Sequence, residues 1–206
     1  MLDAFGDDRY IKVEGKPLLV VFNPGQLPDP IRTTDLWRTL AVRAGLKGLY
    51  LVGARNAPWN PSEHGFDAQT TRSLGRVETI ERRIIRGMKW RVERFMHWPR
   101  LFSYGRSLPF LLMPEATQTC YYPAVIQGWD NTPRSGRNGL VLHGSTPELF
   151  SIHLRASITQ IRHKPAEHRI LFLKSWNEWA EGNYVEPDLR YGKGYLQVLR
   201  DEICRV

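Results

Sequence analysis

The sequence predicts an α/β fold in which helices cover a parallel β-sheet. Short continuous apolar runs alternate along the chain with segments whose apolar residues recur at helical spacing. Strands that are apolar throughout are buried on both faces, so they need helices on either side. The 206 residues are 42% hydrophobic and 24% charged, which is the composition of a globular protein. We therefore expect a single α/β domain over residues 1–206, with a sheet that is either open and doubly wound or rolled into a barrel.

The N-terminal quarter predicts a strand, a helix and a second strand. Leu18–Phe22 is a short apolar run bounded by proline and glycine, as in a buried strand. The helix that follows has Thr33 or Thr34 as its N-cap and Gly45 as its terminator. The apolar run Gly48–Val52 then predicts the second buried strand.

The middle of the chain carries most of the excess positive charge. Ten basic residues and three acidic ones lie between Arg72 and Arg106, so this segment supplies +7 of the net +8. Within it, Val77–Phe95 has apolar residues at helical spacing and predicts a long basic amphipathic helix. Gly65–Ala68 predicts a short third strand before it, and Tyr121–Gly128 a fourth strand after it.

The C-terminal third begins with a clearly signalled helix. Thr146 is predicted to cap it, Pro147 occupies its first position, and Pro165 stops it. A fifth strand is predicted over Arg169–Trp176 and a closing helix over Tyr191–Ile203. Strands again alternate with helices, as a parallel sheet requires.

Several functional classes have no support in the sequence. The longest apolar run, Pro17–Phe22, is far below the roughly 18 residues of a membrane-spanning helix, so we expect no integral membrane association. The opening residues are acidic rather than signal-like, which favours a cytoplasmic protein. Cys120 and Cys204 are predicted to be free thiols. Nucleotide-binding and zinc motifs are missing, so no metal or cofactor is expected.

The densest chemistry lies in the segment Ser175–Asp188, which follows the fifth predicted strand. It combines carboxylates with indole and phenol rings, and ligands of parallel α/β folds bind at the carboxyl ends of strands. Aromatic rings pack against the C–H faces of sugars, while carboxylates and amides bind their hydroxyls. The candidate sugar-binding residues of this segment are Trp176, Asn177, Trp179, Tyr184 and Glu186.

Glu178 and Glu181 are the candidate catalytic pair. They are three residues apart, so in a helical turn both side chains would lie on one face, and in a bent loop they could still converge. Two carboxylates that share a partly dry site hold one proton to higher pH, so that one of them serves as a general acid. Such a pair is typical of enzymes that cleave glycosidic bonds. The alternative is a solvated acidic loop whose tryptophans belong to the core.

A second group of polar residues follows the fourth predicted strand. Trp129, Asp130, Asn131 and Arg134 are candidates for substrate binding, with Asp130 and Asn131 on sugar hydroxyls and Arg134 on an anionic group. The alternative is an ordinary turn, since Asp-Asn-Thr-Pro is turn chemistry. His143 is a weaker candidate that is equally consistent with simple packing.

Six blocks of the sequence, spread from near its first residue to near its last, resemble the WbsX-type family, also described as glycoside hydrolase family 99-like. They are DDRYIKVEGKPLLVVFNP, GLYLVG, GFDA, GWDNTPR, HGSTPELF and WNEWAEGNYVEPDLRYGKGYL. The resemblance implies a (β/α)8 barrel and a carbohydrate-active enzyme of bacterial surface-polysaccharide synthesis, acting on lipopolysaccharide O-antigen or capsule. The implied activity is either glycosyl transfer or hydrolysis of glycosidic bonds. A hydrolase of this kind would resemble the retaining, endo-acting mannosidases.

The same resemblance assigns roles to the two glutamates. Glu178 would assist the 2-hydroxyl of the sugar as an internal nucleophile, and Glu181 would protonate the leaving oxygen and later activate the acceptor. The substrate would then be a glycan or a sugar donor. This chain is shorter than the family's barrel requires. Its sequence predicts about five strand–helix units, whereas the barrel has eight. It is therefore expected to be the C-terminal part of an incomplete TIM-like barrel.

Three functional interpretations remain open at this level. The first is the enzyme, with a partner chain that supplies the missing N-terminal strands of the barrel. The second is a truncated, non-catalytic remnant or glycan-binding module. The third is an anion-binding protein that acts through the basic helix, although no nucleic-acid recognition module surrounds it and no nucleic-acid partner is expected.

Overall fold

A computed structural model describes residues 1–55, 59–71, 74, 77 and 98–205 of the chain. The strands in these ranges are β1 (Lys12–Val13), β2 (Lys16–Val21), β3 (Tyr50–Ala54), β4 (Ala68–Thr70), β5 (Arg100–Ser103), β6 (Tyr121–Tyr122), β7 (Ala124–Ile126), β8 (Trp129–Asp130), β9 (Leu140–His143), β10 (Phe172–Lys174), β11 (Asn177–Glu178) and β12 (Asn183–Tyr184). The helices are α1 (Leu2–Gly6), α2 (Pro30–Arg43), α3 (Tyr104–Leu111), α4 (Thr132–Ser135), α5 (Pro147–Ile161) and α6 (Gly194–Ile203).

The main sheet is curled, and its parallel strands follow chain order. Strand β1 pairs antiparallel with β2, after which β2, β3, β4 and β6 pair in parallel. Pro123 interrupts the ladder, and β7 continues beyond it to pair in parallel with β10. The mixed α/β class with a parallel sheet is therefore confirmed.

Opposite faces of this sheet pack into different clusters, because successive side chains of a strand alternate. Leu18, Tyr50, Val52, Ala68 and Tyr122 meet on the inner face. The outer face of the same strands packs against α2, and the outer face of β7 and β10 packs against α5 and α6. Helices thus cover the outer face of the sheet.

A smaller sheet lies beside the main one, with the strand order β5-β9-β8. Strand β5 pairs in parallel with β9, and β8 pairs antiparallel with β9. Trp129, Leu142 and Phe102 pack from this sheet against Ile126 at the end of β7. The small sheet therefore fixes the chain that leaves β7, where the second group of candidate residues lies.

Several sequence predictions are confirmed and others are corrected. The first, second, fourth and fifth strands are present, and α5 has Thr146 as its N-cap, with Oγ1 accepting a hydrogen bond from the Leu149 amide. Helix α2 is capped by Asp29 rather than by Thr33 or Thr34, because Pro30 begins it.

Two boundaries also shift, and one predicted loop contains a hairpin. The third strand lies at Ala68–Thr70 instead of Gly65–Ala68, because Gly65 adopts a left-handed conformation that ends a preceding turn. The closing helix begins at Gly194 instead of Tyr191, because Asp188 and Gly192 form a bridge before it. The segment Asn177–Asp188, which the sequence predicts as a loop, contains the hairpin β11–β12.

The basic helix predicted over Val77–Phe95 lies almost entirely outside the described residues. Of that segment the structure describes only Val77, which is buried in the cluster under the small sheet. Cys120 and Cys204 are free thiols, as predicted. Within the described ranges no helix is long and apolar enough to cross a membrane.

Candidate functional site

The candidate residues lie in two loops that leave neighbouring strands. Lys174 at the end of β10 is in register with Ile126 at the end of β7. Because the two strands are parallel, the segments that follow them begin side by side at the carboxyl edge of the sheet. The sequence signals at Trp129–Arg134 and Trp176–Glu186 are therefore brought together by the sheet.

The hairpin β11–β12 gives the second loop its shape. Asn177 pairs with Tyr184 and Glu178 with Asn183. Asn183 is fully buried, where its Oδ1 accepts from the Ser175 amide at 3.1 Å and its carbonyl accepts from Ser175 Oγ at 2.7 Å. Gly182 makes the turn with a φ of +55°. The backbone bearing both glutamates is thus held on a hydrogen-bonded hairpin.

Glu178 and Glu181 converge on one guanidinium group. Arg134 Nη1 donates to Glu181 Oε1 at 2.9 Å, and Arg134 Nη2 lies 3.9 Å from Glu178 Oε1. The side chain of Glu181 is 15% exposed, whereas that of Glu178 is 44% exposed. The two carboxylates therefore share one cationic partner but differ in access to solvent.

Lys174 is a second cation beside this pair, and sequence reasoning did not single it out. Its Nζ lies 3.9 Å from Glu181 Oε2 and 4.1 Å from the centroid of the Trp129 ring. The latter contact is a cation–π interaction. Its position at the end of a parallel strand is the signal that identifies it, since such strand ends carry functional side chains in α/β folds.

The aromatic residues of the hairpin form a stacked pair. The ring centroids of Trp179 and Tyr184 are 3.6 Å apart at an interplanar angle of 16°. Trp179 Nε1 donates to Glu186 Oε2 at 2.7 Å, which fixes the orientation of the indole. Partial burial and the nearby Asp188 raise the pKa of the Tyr184 phenol. Trp176 and Asn177 are exposed on the same hairpin.

The side chains of Asp130 and Asn131 stabilise the turn in which they lie by hydrogen bonds to nearby residues. Asp130 Oδ1 accepts hydrogen bonds from the Thr132 amide at 2.9 Å and from Thr132 Oγ1 at 2.6 Å. Asn131 Oδ1 accepts from the Leu140 amide at 2.7 Å. These bonds are the turn chemistry that the sequence offered as the alternative to sugar binding. Arg134, expected to meet an anionic ligand, meets the two glutamates of its own chain.

A cavity of about 350 Å³ lies next to the carboxylate pair. Among the predicted residues, Trp129, Asp130 and Tyr184 line it, whereas Glu178 and Glu181 do not. Sequence reasoning missed other residues of its wall, notably Gln127, Ser145 and Tyr195, which give no local motif. His143 is not packed away: it is exposed at the end of β9 and lines the cavity.

This arrangement suits chemistry on a hydroxylated ligand. Carboxylates accept hydrogen bonds from hydroxyl groups or exchange protons with them, and the exposed Trp176 and Trp179 offer flat apolar surfaces. Within the described part of the chain, no group of three or more His, Cys, Asp or Glu side chains is arranged to hold a metal ion.

Comparisons with known proteins agree with this chemistry. The family model described as Glycosyltransferase WbsX matches residues 1–199. Proteins named WxcX from two strains of Xanthomonas campestris pv. campestris are 31% identical over 96% of this chain. The chain spans only 28% of the length of these curated relatives. A solved structure described as a glycoside hydrolase-like protein superposes with a TM-score of 0.59 at 21% identity, covering 98% of this chain and 58% of the other. By the match of its sequence from end to end, the chain belongs to the WbsX glycosyltransferase family.

Proposed function

We propose that this chain provides the catalytic residues of an enzyme that makes or breaks glycosidic bonds during synthesis of a bacterial surface polysaccharide, either lipopolysaccharide O-antigen or capsule. The observation that carries the proposal is the convergence of Glu178 and Glu181 on Arg134, beside the stacked Trp179–Tyr184 pair. Family membership supports a carbohydrate substrate, and the paired carboxylates support acid–base chemistry on it.

The proposed reaction retains the configuration of the anomeric carbon. Glu178, the more exposed carboxylate, takes the proton of the sugar's 2-hydroxyl while the 2-oxygen attacks the anomeric carbon. The glycosidic bond breaks, and Glu181, in its acid form, gives a proton to the leaving oxygen. An acceptor hydroxyl then loses its proton to Glu181 and attacks the same carbon. The bond between that carbon and the 2-oxygen breaks, and Glu178 returns its proton to the 2-oxygen. Two successive inversions give retention; water as acceptor gives hydrolysis, and a sugar gives transfer.

Replacement of Glu181 by glutamine tests this proposal. The variant keeps the size and hydrogen-bonding capacity of the side chain but cannot transfer a proton, so turnover should fall by at least about 100-fold. The measurement is recovery of surface polysaccharide in a strain that lacks the gene, with binding of the purified polysaccharide as a second readout. Glu148→Gln, in the first turn of α5, is the matched control. Full polysaccharide synthesis by Glu181→Gln would reject the role of this residue as the acid.

A non-catalytic glycan-binding module is the second candidate function. It is favoured by the ion pair that already occupies Glu181 and by the cavity that neither glutamate lines. In that case both Glu178→Gln and Glu181→Gln would support full polysaccharide synthesis. Loss of synthesis without loss of glycan binding in either variant would exclude it.

We also propose that the parallel strands β2, β3, β4, β6–β7 and β10, with their helices, are the C-terminal part of a (β/α)8 barrel. In such a barrel β2 and β10 would each pair with a further strand on their outer edges. Support comes from the chain-order pairing of the strands and from the longer glycoside hydrolase-like neighbour. Strands from a partner chain, or from the remainder of a longer protein, would close it. A cytoplasmic location belongs to the same proposal, and cell fractionation tests it.

A further inference from the structure

The cavity of about 350 Å³ behind the carboxylate pair is a separate feature of the molecule. Its walls come from the segment after β7, the segment after β9 and the segment before α6. Its volume lies within the range of roughly 300–1,000 Å³ that is usual for ligand pockets. Gly182, at the turn of the hairpin, lines the cavity, whereas Glu178 and Glu181 do not.

The cavity wall contains a buried hydrogen-bond acceptor that the described residues leave unsatisfied. Gln127 is 3% exposed, and its Oε1 has no hydrogen-bond partner in the described structure. A buried acceptor without a donor is unfavourable, whereas a ligand that donates a hydrogen bond would satisfy it. Gln127 lines the cavity, and rotation about its last side-chain torsion, which has broad minima, would turn this oxygen towards a ligand there.

Two carboxylates of the wall add further acceptor atoms. Asp130 uses Oδ1 for Thr132, and Asp188 uses Oδ1 for the amides of Arg190 and Tyr191. No hydrogen bond from the described residues reaches the Oδ2 atom of either side chain. Each carboxylate is thus held in place through one oxygen while the other can accept from a ligand hydroxyl.

Tyrosine rings and one serine form a rigid part of the same wall. Tyr195 and Ser145 share a hydrogen bond of 3.0 Å, and the Tyr191 hydroxyl donates to the Ser145 carbonyl at 3.0 Å. Burial raises the pKa of Tyr195 to about 12, so this phenol is protonated at neutral pH. Together with Tyr184, these rings offer flat apolar surface to a ligand.

Charge in the cavity is close to balanced. Its lining contains the carboxylates of Asp130 and Asp188, the guanidinium group of Arg190 and the imidazole of the exposed His143. Neither a strongly anionic nor a strongly cationic ligand is favoured by this set. Acceptor oxygens, aromatic rings and balanced charge together favour a neutral ligand that carries many hydroxyl groups.

We propose that this cavity is a second sugar-binding site, which holds a neutral glycosyl residue apart from the bond that reacts at Glu178 and Glu181. The choice of a sugar rests on the proposed function, since that function supplies hydroxylated ligands. One contact links the two places: Lys174 touches both the Trp129 ring and Glu181. A glycan bound in the cavity would therefore contact Trp129, whose ring packs on the lysine that neighbours Glu181.

The test is nuclear magnetic resonance of the full chain labelled with ¹⁵N, titrated with the methyl glycosides of glucose, galactose and mannose. Binding in the cavity should shift the amide signals of Gly128, Gly144 and Gly182. Gln127→Met removes the unsatisfied acceptor, so it should leave the melting temperature unchanged or raise it while weakening binding about threefold to tenfold. Gln69→Met is the matched control, because Gln69 is equally buried at 3% and also has an unpartnered Oε1 but lies outside the cavity.

Each outcome decides the proposal. Unchanged affinity in Gln127→Met, a marked fall in its melting temperature, or no shift at the three glycines would overturn it. Shifts confined to Trp176 and Trp179 would place sugars at the hairpin instead and would also overturn it. The Glu181→Gln variant should bind these glycosides in the cavity like the wild type. Polysaccharide synthesis by that variant tests the proposed function, so the two failures are distinguishable.

Discussion

Arg134 joins two loops that are far apart in the sequence. It lies 47 residues before Glu181, yet its guanidinium group donates to that carboxylate and approaches Glu178. The Arg134 side chain is 61% exposed, and an ion pair this exposed contributes about 0–1 kcal/mol to folding. Its main effect is therefore geometric: it connects the segment after β8 to the hairpin that carries both glutamates.

Gly182 sets how closely the two loops approach, and its replacement by alanine should destabilise the protein. A Cβ there would lie 2.9 Å from Asp130 Cβ and 3.0 Å from the Asp130 amide nitrogen, on a backbone with a φ of +55°. We expect a loss of about 2–4 kcal/mol in the free energy of unfolding, from the clash and the left-handed conformation together. Chemical denaturation with urea measures it.

Gly144→Ala is the control for this substitution. Gly144 has a φ of +74° but no heavy atom within 4 Å of an added Cβ, so only the backbone term of about 1–2 kcal/mol applies. The difference between the two variants isolates the contact with Asp130. Equal losses in both would show that the loops separate without cost, which would contradict a fixed distance between Asp130 and the hairpin.

At the residue scale, the sequence predicts the types of side chain but not their pairing. Glu178, Glu181 and Arg134 stand out because acids and a guanidinium group follow apolar runs. Their ion pairs depend on the register of β7 and β10, which no local pattern records. Gln127 gave no signal at all, since its importance comes from a missing hydrogen-bond partner in the fold.

Helix α5 connects the sheet to α6 and encloses a buried imidazole. The His153 ring packs between helix and sheet, with its Nδ1 3.2 Å from the Tyr104 hydroxyl, which donates to the Ile126 carbonyl. On its outer side, Arg155 donates to Glu202 of α6, and this contact lowers the pKa of Glu202 to about 2. Helix α5 therefore carries both the neutral, buried imidazole of His153 and the arginine of the Arg155–Glu202 ion pair.

The buried imidazole predicts a loss of stability in mild acid. Burial lowers the pKa of His153 from 6.5 to about 4, so between these values the unfolded chain binds a proton that the folded protein does not. The contribution of His153 to the free energy of unfolding is therefore fully present above pH 6.5 and is lost as the pH falls towards 4. From pH 7.5 to pH 5 the loss is about 2 kcal/mol.

Urea denaturation of wild type and His153→Leu at the two pH values measures this term. The other histidines are shared by both proteins, and Glu202 loses its stabilising charge only below about pH 4.5. The variant is expected to be less stable at pH 7.5 but to lose less on acidification. An identical pH dependence in both proteins would show that His153 is not the responsible group.

At the element scale, long elements with strong end signals are predictable and short ones are not. Helix α5 is predicted by Thr146 and Pro147 and by its buried stripe. Helix α3 was missed because Pro109 lies inside it, and proline normally argues against a helix. Strand β8 has two residues, so it exists only because β9 pairs with it.

At the scale of the whole molecule, the main sheet is curled and its inner face is only partly covered. Leu18 and Val52 are buried on that face. Val20 lies on the same face, two residues after Leu18 and paired with Val52, but it is 39% exposed. Among the described strands, β1 reaches only Lys16 and Pro17 of β2, and β10 pairs with β7 alone. The uncovered region of the inner face therefore lies between the two outer strands of the sheet.

Completion of a barrel by further strands would cover this region, and Val20→Lys tests it. In the chain alone, Val20 is partly exposed, so the substitution should change the free energy of unfolding by less than about 1 kcal/mol. If further strands cover the face, the same lysine becomes buried without a partner and should cost several kcal/mol.

Leu36→Lys is the control, because Leu36 is 55% exposed on α2. The measurement is thermal unfolding of the chain alone and of the chain produced together with a polypeptide that supplies the further strands of the barrel. The barrel proposal requires a large effect of Val20→Lys in the second setting only, since buried charge destabilises where solvated charge does not. A small effect in both settings would mean that this face of the sheet stays open to solvent.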